Sequence, residues 1–217
     1  QPVQDMQEER KCAMQFINPR NEPVNISVGI SAVDVTGAQK NREAEIGSKT
    51  FEILKTEASV TWEHQLEKII VEDANKENLH TFYSALYHTM IAPNIYQDVD
   101  GRYRGMDLKI HTTQDFDYYT VFSLWDTYRA AHPLYTLIEQ ERTNDFINTF
   151  LAKYDEGGIM PIWDLSANYT GCMIGYHAVP VIADAYLKGI TGYDVNKALE
   201  AMIHSAMQDK LGLESYK

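Results

Sequence analysis

The sequence predicts a mainly α-helical chain, the first five helices of an α/α toroid, preceded by a helical linker and a β-hairpin. Three observations carry this. Apolar residues recur three and four apart through most of the chain, as one face of a helix requires. Strand-like alternation is confined to the N-terminal stretch. Between the helices after residue 74, long and short connections alternate, the pattern of antiparallel helices whose long loops gather on one face.

Taken in order, Lys11–Ile17 reads as a strand, Asn18–Pro23 as a turn, and Val24–Val33 alternates apolar and small polar residues as a half-buried strand does. Two strands are not stable alone in water, so this hairpin needs sheet partners outside the chain. Asp34–Gly47 lacks a strand pattern and reads as a linker. Ser48 is placed to cap a helix running to Leu66 with Phe51, Leu54, Ala58, Trp62 and Leu66 on one face. Lys68–Glu72 is short and extended. A second helix, Asn75–Met90, carries Leu79, Phe82, Tyr83, Leu86 and Met90, and Pro93 ends it. Asn94–Thr120 has no helical period and is longer than a bundle connection needs, which marks it as functional.

Further helices are predicted from Ser123 to Ile138 with a step near Pro133, and from Arg142, capped by Thr143 or Asn144, to just before Gly157. Two more run from Thr170 or Gly171 to Gly189, and from Asp194 to Gln208. The toroid is then open at its last helix, with an apolar edge left over. The open ring, the unpaired hairpin and the lack of an initiating Met together lead us to expect a piece of a larger protein.

At 217 residues and 44% hydrophobic content, the chain is able to bury a substantial core. Its formal charge of −12 argues against nucleic acid and anionic membranes as partners. No run approaches the roughly 18 apolar residues of a membrane span. Cys12 and Cys172 are far apart and lack metal-ligand spacing.

The stretch that draws the eye is Ser123-Leu124-Trp125-Asp126. Ser123 is positioned to cap the helix and Asp126 to sit in its first turn, where negative charge is favoured. Two readings stand side by side. In one, a packed Trp lies beside a capping Asp; in the other, a flat ring and a fixed acceptor form a sugar platform. Trp163-Asp164, on a second long loop of the same expected face, repeats the pair and strengthens the second reading. Asp98-Val99-Asp100-Gly101 resembles the start of a calcium loop, but Arg102 and Lys109 stand where further oxygen ligands belong. Those residues read as a turn; the alternative is that Arg102 or Arg104 reaches the pocket to position a neighbouring carboxylate, which makes Arg102, with Trp163 and Asp164, a secondary substrate-binding candidate. His177 and His204 read as ordinary helix histidines. The sequons at Asn25 and Asn168 receive no function.

Several stretches together carry a family resemblance: Phe82–Pro93, Asp98–Gly105 (DVDGRYRG), Tyr119–Ala130 (YTVFSLWDTYRA), Glu141–Leu151 (ERTNDFINTFL) and Asn168–Asp184 (NYTGCMIGYHAVPVIAD). In this order and spacing the chain resembles glycoside hydrolase family 92, the calcium-dependent exo-α-mannosidases of bacteria. The resemblance implies the end of an N-terminal β-sandwich over residues 1–34, a helical linker over 35–74, and the first part of an (α/α)6 catalytic domain over 75–217. It further implies an inverting exo-α-mannosidase acting on terminal mannose of N-glycans or mannans, a mannose-containing glycan as partner, and a periplasmic, outer-surface or secreted location in a bacterium. Trp125 and Asp126 match the family's sugar-binding pair. Trp163-Asp164 stands where the family leads us to expect Trp-Glu. The general acid, the base carboxylates and the Ca2+ ligands have no counterpart before Lys217, so catalytic and metal residues are expected outside this chain and the chain alone is expected to be inactive. The alternative is a non-catalytic carbohydrate-binding remnant of the same fold.

Overall fold

The computed structural model of the chain describes residues 22–209 together with Gln15, Ile17 and Arg20. Among these residues it is mainly helical, with eight α-helices and six strands of two or three residues each. The second arm of the expected hairpin, Val24–Val33, forms no strand among the described residues, and Ile26, Val28 and Ile30 stand exposed along it. Its first arm lies mostly outside the described residues.

Helix α1 spans Val35–Glu45, within the stretch whose residues read as a linker without a strand pattern and which the resemblance makes part of a helical linker. It has no apolar stripe to betray it. Its start is fixed by Asp34, whose Oδ1 accepts from the Gly37 amide at 2.6 Å. Helix α2, Phe51–Leu66, begins at Thr50 rather than Ser48, the Thr50 hydroxyl accepting from the Ile53 amide. Helix α3, Lys76–Thr89, is capped as expected by Asn75, which accepts from the Glu77 amide at 3.0 Å. Trp62 of α2 meets Tyr87 of α3 with ring centroids 4.6 Å apart.

The long excursion that follows is two small antiparallel ribbons. Strand β1 (Asn94–Ile95) and the later β4 (Tyr119–Thr120) pair with each other; β2 (Arg102–Arg104) and β3 (Ile110–Thr112) form a hairpin between them. Gly101 turns the chain into β2 at φ +79, where a Cβ would lie 2.1 Å from the Thr113 carbonyl oxygen.

The expected Ser123–Ile138 helix is two: α4, Leu124–Thr127, and α5, Ala131–Ile138. The break falls at Tyr128–Ala130, ahead of Pro133, which occupies the first turn of α5. There its missing N–H has no intrahelical acceptor to lose. Helix α6, Gln140–Gly157, starts before Thr143 and Asn144, so neither caps it. Instead the Thr143 hydroxyl donates to the Glu139 carbonyl at 2.9 Å, one turn back. Gly158, at φ +84, ends α6.

After α6 comes a tight hairpin, β5 (Asp164–Leu165) and β6 (Asn168–Tyr169). Helix α7, Ala178–Leu187, begins well after the expected Thr170, because Gly171, Met173 and Gly175 all take left-handed φ. Pro180 sits in its first turn, as Pro133 does in α5. Helix α8, Val195–Met207, starts at Asp194 as expected, with Oδ1 accepting from the Lys197 amide at 3.0 Å.

Helices α5, α6, α7 and α8 pack on one another around Phe122, Leu124, Phe146, Phe150, Val181, Ile182 and Ala198, all nearly or wholly buried. Helix α6 is the centre of this arrangement. One of its faces is apolar, with Phe146, Ile147, Phe150 and Leu151 buried. A second carries Thr149, Lys153 and Glu156 at helical spacing, all turned toward the excursion. Thr149 accepts from the Tyr119 amide at 3.2 Å. Glu156 accepts from the Tyr103 and Tyr118 hydroxyls at 2.8 and 3.1 Å and from the Met106 amide at 3.0 Å. These polar groups hold the loop ribbons to the helical core, and so set where the residues after β4 emerge.

Candidate functional site

Between β4 and α4 the chain turns at Val121, whose φ of +67 is left-handed. For a β-branched residue this costs about 1–2 kcal/mol and persists only where its surroundings over-determine it. The surroundings here are explicit. Thr120 donates its hydroxyl to Asp164 Oδ2 at 2.9 Å, and the Phe122 amide donates to Asp164 Oδ1 at 3.2 Å. The Ser166 amide donates to the Thr120 hydroxyl at 2.7 Å. One carboxylate thus grips the residues on both sides of the turn.

The turn delivers α4, and on it Trp125 half-buried and Asp126 exposed. Ser123 does not cap the helix through its side chain; its hydroxyl instead donates to Asp126 Oδ2. That fixes the carboxylate and leaves Oδ1 without a hydrogen-bond partner among the described residues. The Ser123 backbone forms an isolated antiparallel bridge with Trp163. The two Trp-Asp pairs, far apart in the chain, are therefore neighbours.

They are not equivalent. Trp163 is half-buried beside Ser123, whereas Asp164 is wholly enclosed, at 0% exposure, and ion-paired to Lys153, itself 1% exposed. Burial pushes the Lys153 ammonium below its ordinary range and Asp164 opposes that shift. Enclosed and bonded to Lys153, Thr120 and the Phe122 amide, the Asp164 carboxylate works within the fold.

Arg102 lies away from this turn in a different network. Its guanidinium meets Asp34 at 2.9 Å and Asp100 at 3.0 Å, with Asp98 at 3.8 Å. Asp98, nearly buried, also takes hydrogen bonds from Ser31 and Asn41 at 2.8 Å each. The sequence leads us to expect Arg102 at the pocket; its contacts are instead with Asp34, Asp98 and Asp100, and they tie the start of α1 to the β2 hairpin. The same contacts occupy the oxygens of the calcium-loop look-alike. Among the described residues, no three His, Cys, Asp or Glu side chains gather as a metal site. The residues present do not fit a calcium ion.

The structure adds three residues to the Trp125 surface. The Arg129 guanidinium lies 5.7 Å from the Trp125 ring centroid and 5.2 Å from that of Tyr128. The His177 ring stands 4.4 Å from Tyr128 and edge-on to Trp125 at 5.2 Å. His177 is not inside a helix; it precedes α7 at the end of the Gly171–Gly175 loop. Its ring is held below the usual imidazole range by burial first and by Arg129 second. Tyr128 and Arg129 follow Trp125 at helical spacing, a signal the sequence did carry. His204, by contrast, is exposed on α8 with its ring edge toward Tyr154.

A mainly helical chain that carries a half-buried Trp and an exposed carboxylate on one short helix, with a second Trp bridged to the residue that opens it, presents groups of the kind carbohydrate-active proteins use. Comparison with known proteins carries this to a family. Residues 37–217 match the glycosyl hydrolase family 92 catalytic domain, and the chain belongs to that family. It is similar to a family 92 α-mannosidase of Bacteroides thetaiotaomicron, 43% identical with a TM-score of 0.79, over 86% of this chain and 25% of that one. That enzyme is also known in complex with mannoimidazole, with the same likeness. A family 92 inverting mannosidase of the same bacterium is 33% identical, with a TM-score of 0.79 over 85% of this chain and 25% of that one. An uncharacterized secreted glycosidase of the fungus Arthroderma benhamiae is 28% identical over 200 residues, 89% of this chain and 22% of its own. The chain therefore spans about a quarter of the length of these solved relatives.

Proposed function

We propose that the protein carrying this chain is an exported exo-α-mannosidase that removes terminal α-mannosyl residues from N-glycans or mannans with inversion, and that Trp125 and Asp126 hold the sugar. The observation that carries the reading is the presentation of the Trp125 ring beside a carboxylate fixed by Ser123, in a chain of this family. A pyranose offers an apolar face to the ring and adjacent hydroxyls to the carboxylate. Trp163, beside Ser123, extends the apolar surface. Asp164 contributes by holding the turn rather than by touching the sugar, and Arg102 by tying α1 to the ribbons. The helices α3 to α8, with α4 and α5 together in the place of one expected helix, are read as the opening part of an (α/α)6 toroid that follows a β-sandwich.

Inversion requires an acid at the leaving oxygen and a base on a water across the ring, with the two carboxyls about 6.5–9.5 Å apart. In this proposal both come from parts of the protein beyond this chain, as do the ligands of a calcium ion, and no step is assigned to them here. The α-mannosidase relatives and the secreted glycosidase support the substrate and the export. No helix among the described residues is long and apolar enough to cross a membrane.

The test is mannose release from α-mannosides by the full-length protein. Asp126→Ala should lower kcat/KM at least about 100-fold, since a charge-assisted hydrogen bond contributes about 1.5–3 kcal/mol and two hydroxyls lose theirs. Unchanged circular dichroism should accompany the loss. Turnover within threefold or so of wild type would mean that Asp126 serves only the fold. No release from any α-mannoside would refute the reading as a whole, and turnover unaffected by a chelator would refute its calcium part.

A further inference from the structure

We infer that the buried Lys153–Asp164 pair is the positioning element of the sugar-holding turn, a reading that rests on the proposed role of Trp125 and Asp126. The pair touches neither of those residues. It acts through the backbone that carries them.

The geometry is specific. Asp164 Oδ2 accepts from the Thr120 hydroxyl and Oδ1 from the Phe122 amide, so its two oxygens bracket Val121, the left-handed residue at which the chain swings from β4 into α4. The backbone just before Asp164 bridges Ser123 through Trp163, and the backbone just after it returns to Thr120 through the Ser166 amide. Asp164 thus supplies the two carboxylate acceptors of the turn, one on each side of Val121, while its chain neighbours Trp163 and Ser166 add the backbone links. Lys153, from the polar face of α6, supplies the counter-charge. Its ammonium lies 5.2 Å from the Tyr118 ring centroid and 5.3 Å from that of Phe122, in a site without water contact.

A buried ion pair is poor evidence of a stability device, because an apolar pair of similar volume often serves stability as well or better. What the apolar pair cannot supply is two directed acceptors on either side of one strained residue. The chemistry retained here is directional, and direction is what a binding turn needs.

Three variants of the full-length protein separate positioning from stability. Lys153→Met with Asp164→Leu removes charge and acceptors together; Lys153→Met with Asp164→Asn removes charge but keeps an amide oxygen for the Phe122 amide. Thr120→Val removes the hydroxyl's links to Asp164 and Ser166 and leaves the Phe122 amide on Asp164. We expect the Leu double variant to unfold near the wild-type temperature yet lose about 100-fold in kcat/KM on an aryl α-mannoside. The Asn double variant should recover to within about tenfold of wild type. Amide exchange across residues 121–126, which needs no substrate, should rise about tenfold or more in the Leu double variant and much less in the Asn one. Near-wild-type kinetics together with unchanged exchange in a folded Leu double variant would overturn the inference. Should that variant not fold, Thr120→Val decides: about fivefold lower kcat/KM and faster exchange at Phe122 support it, and wild-type values for both refute it. A wild-type protein with no mannoside activity would sink the proposed function, while the exchange measurement would still judge the pair.

Discussion

His132 offers a pH switch in stability whose sign and size follow from its surroundings. It lies in α5 at 3% exposure, edge-on to Tyr135, Phe146 and Phe150 at 5.4, 5.8 and 6.4 Å, and its Nδ1 has no partner among the described residues. Burial alone pushes its pKa down to about 4 from an ordinary 6.5. Below 6.5 the unfolded chain takes up a proton that the folded chain refuses, so the contribution of neutral His132 is complete above that value and is lost as pH falls toward 4. At pH 4.5 the expected loss relative to pH 7 is about 2–3 kcal/mol. The assay is urea unfolding of the full-length protein at both pH values, read beside His132→Leu, which keeps roughly the volume and removes the titration. Wild type should lose about 2–3 kcal/mol more than the variant between the two pH values. Equal losses in the two proteins would show that the ring is not held neutral by the core.

Two further perturbations probe the frame around the site. Phe150 is wholly buried and meets Phe122 edge-to-face at 4.8 Å, so Phe150→Ala should cost about 3–5 kcal/mol in denaturant unfolding; a loss under about 1 kcal/mol would show that α6 is not the centre of this core. Gly158 and Gly101 share a left-handed φ, but a Cβ on Gly158 meets nothing, whereas one on Gly101 meets the Thr113 carbonyl oxygen at 2.1 Å. Gly158→Ala should therefore cost only about 1 kcal/mol and Gly101→Ala distinctly more, in thermal unfolding of the two side by side; equal costs would refute the close approach at Gly101.

Much of the helical frame was legible because its signals are local. Asn75 and Asp194 cap α3 and α8 as their sequence positions imply, and Gly158 stops α6. The misplacements share a cause. Thr143 and Asn144 look like caps, but their side chains bond to carbonyls one turn back, inside the helix. Pro133 looks like a step within one helix and instead sits in the first turn of α5, and Pro180, which the expected Thr170–Gly189 helix runs through, sits in the first turn of α7. Helix α1 was hidden because it is held by a cap and by ion pairs such as Lys40–Asp100 rather than by an apolar face. The polar stripe Thr149, Lys153 and Glu156 was visible as spacing, but its meaning depends on loops whose position only the fold reveals.

The candidate site shows the same division in one dipeptide. Trp-Asp occurs twice, and by composition the two are indistinguishable. Trp125-Asp126 lies on a helix, where neighbouring side chains diverge by about 100° and both reach one surface. Trp163 leads into the extended β5, where neighbouring side chains go to opposite faces. Its Trp therefore stays beside Ser123 while its Asp turns inward to Lys153, Thr120 and Phe122. The backbone conformation, not the residue type, leaves one carboxylate exposed, where the proposed sugar would meet it, and turns the other inward to support the turn. A Glu in place of Asp164 would place its carboxylate one methylene further from both Thr120 and the Phe122 amide, and the left-handed Val121 would lose the bracket that holds it.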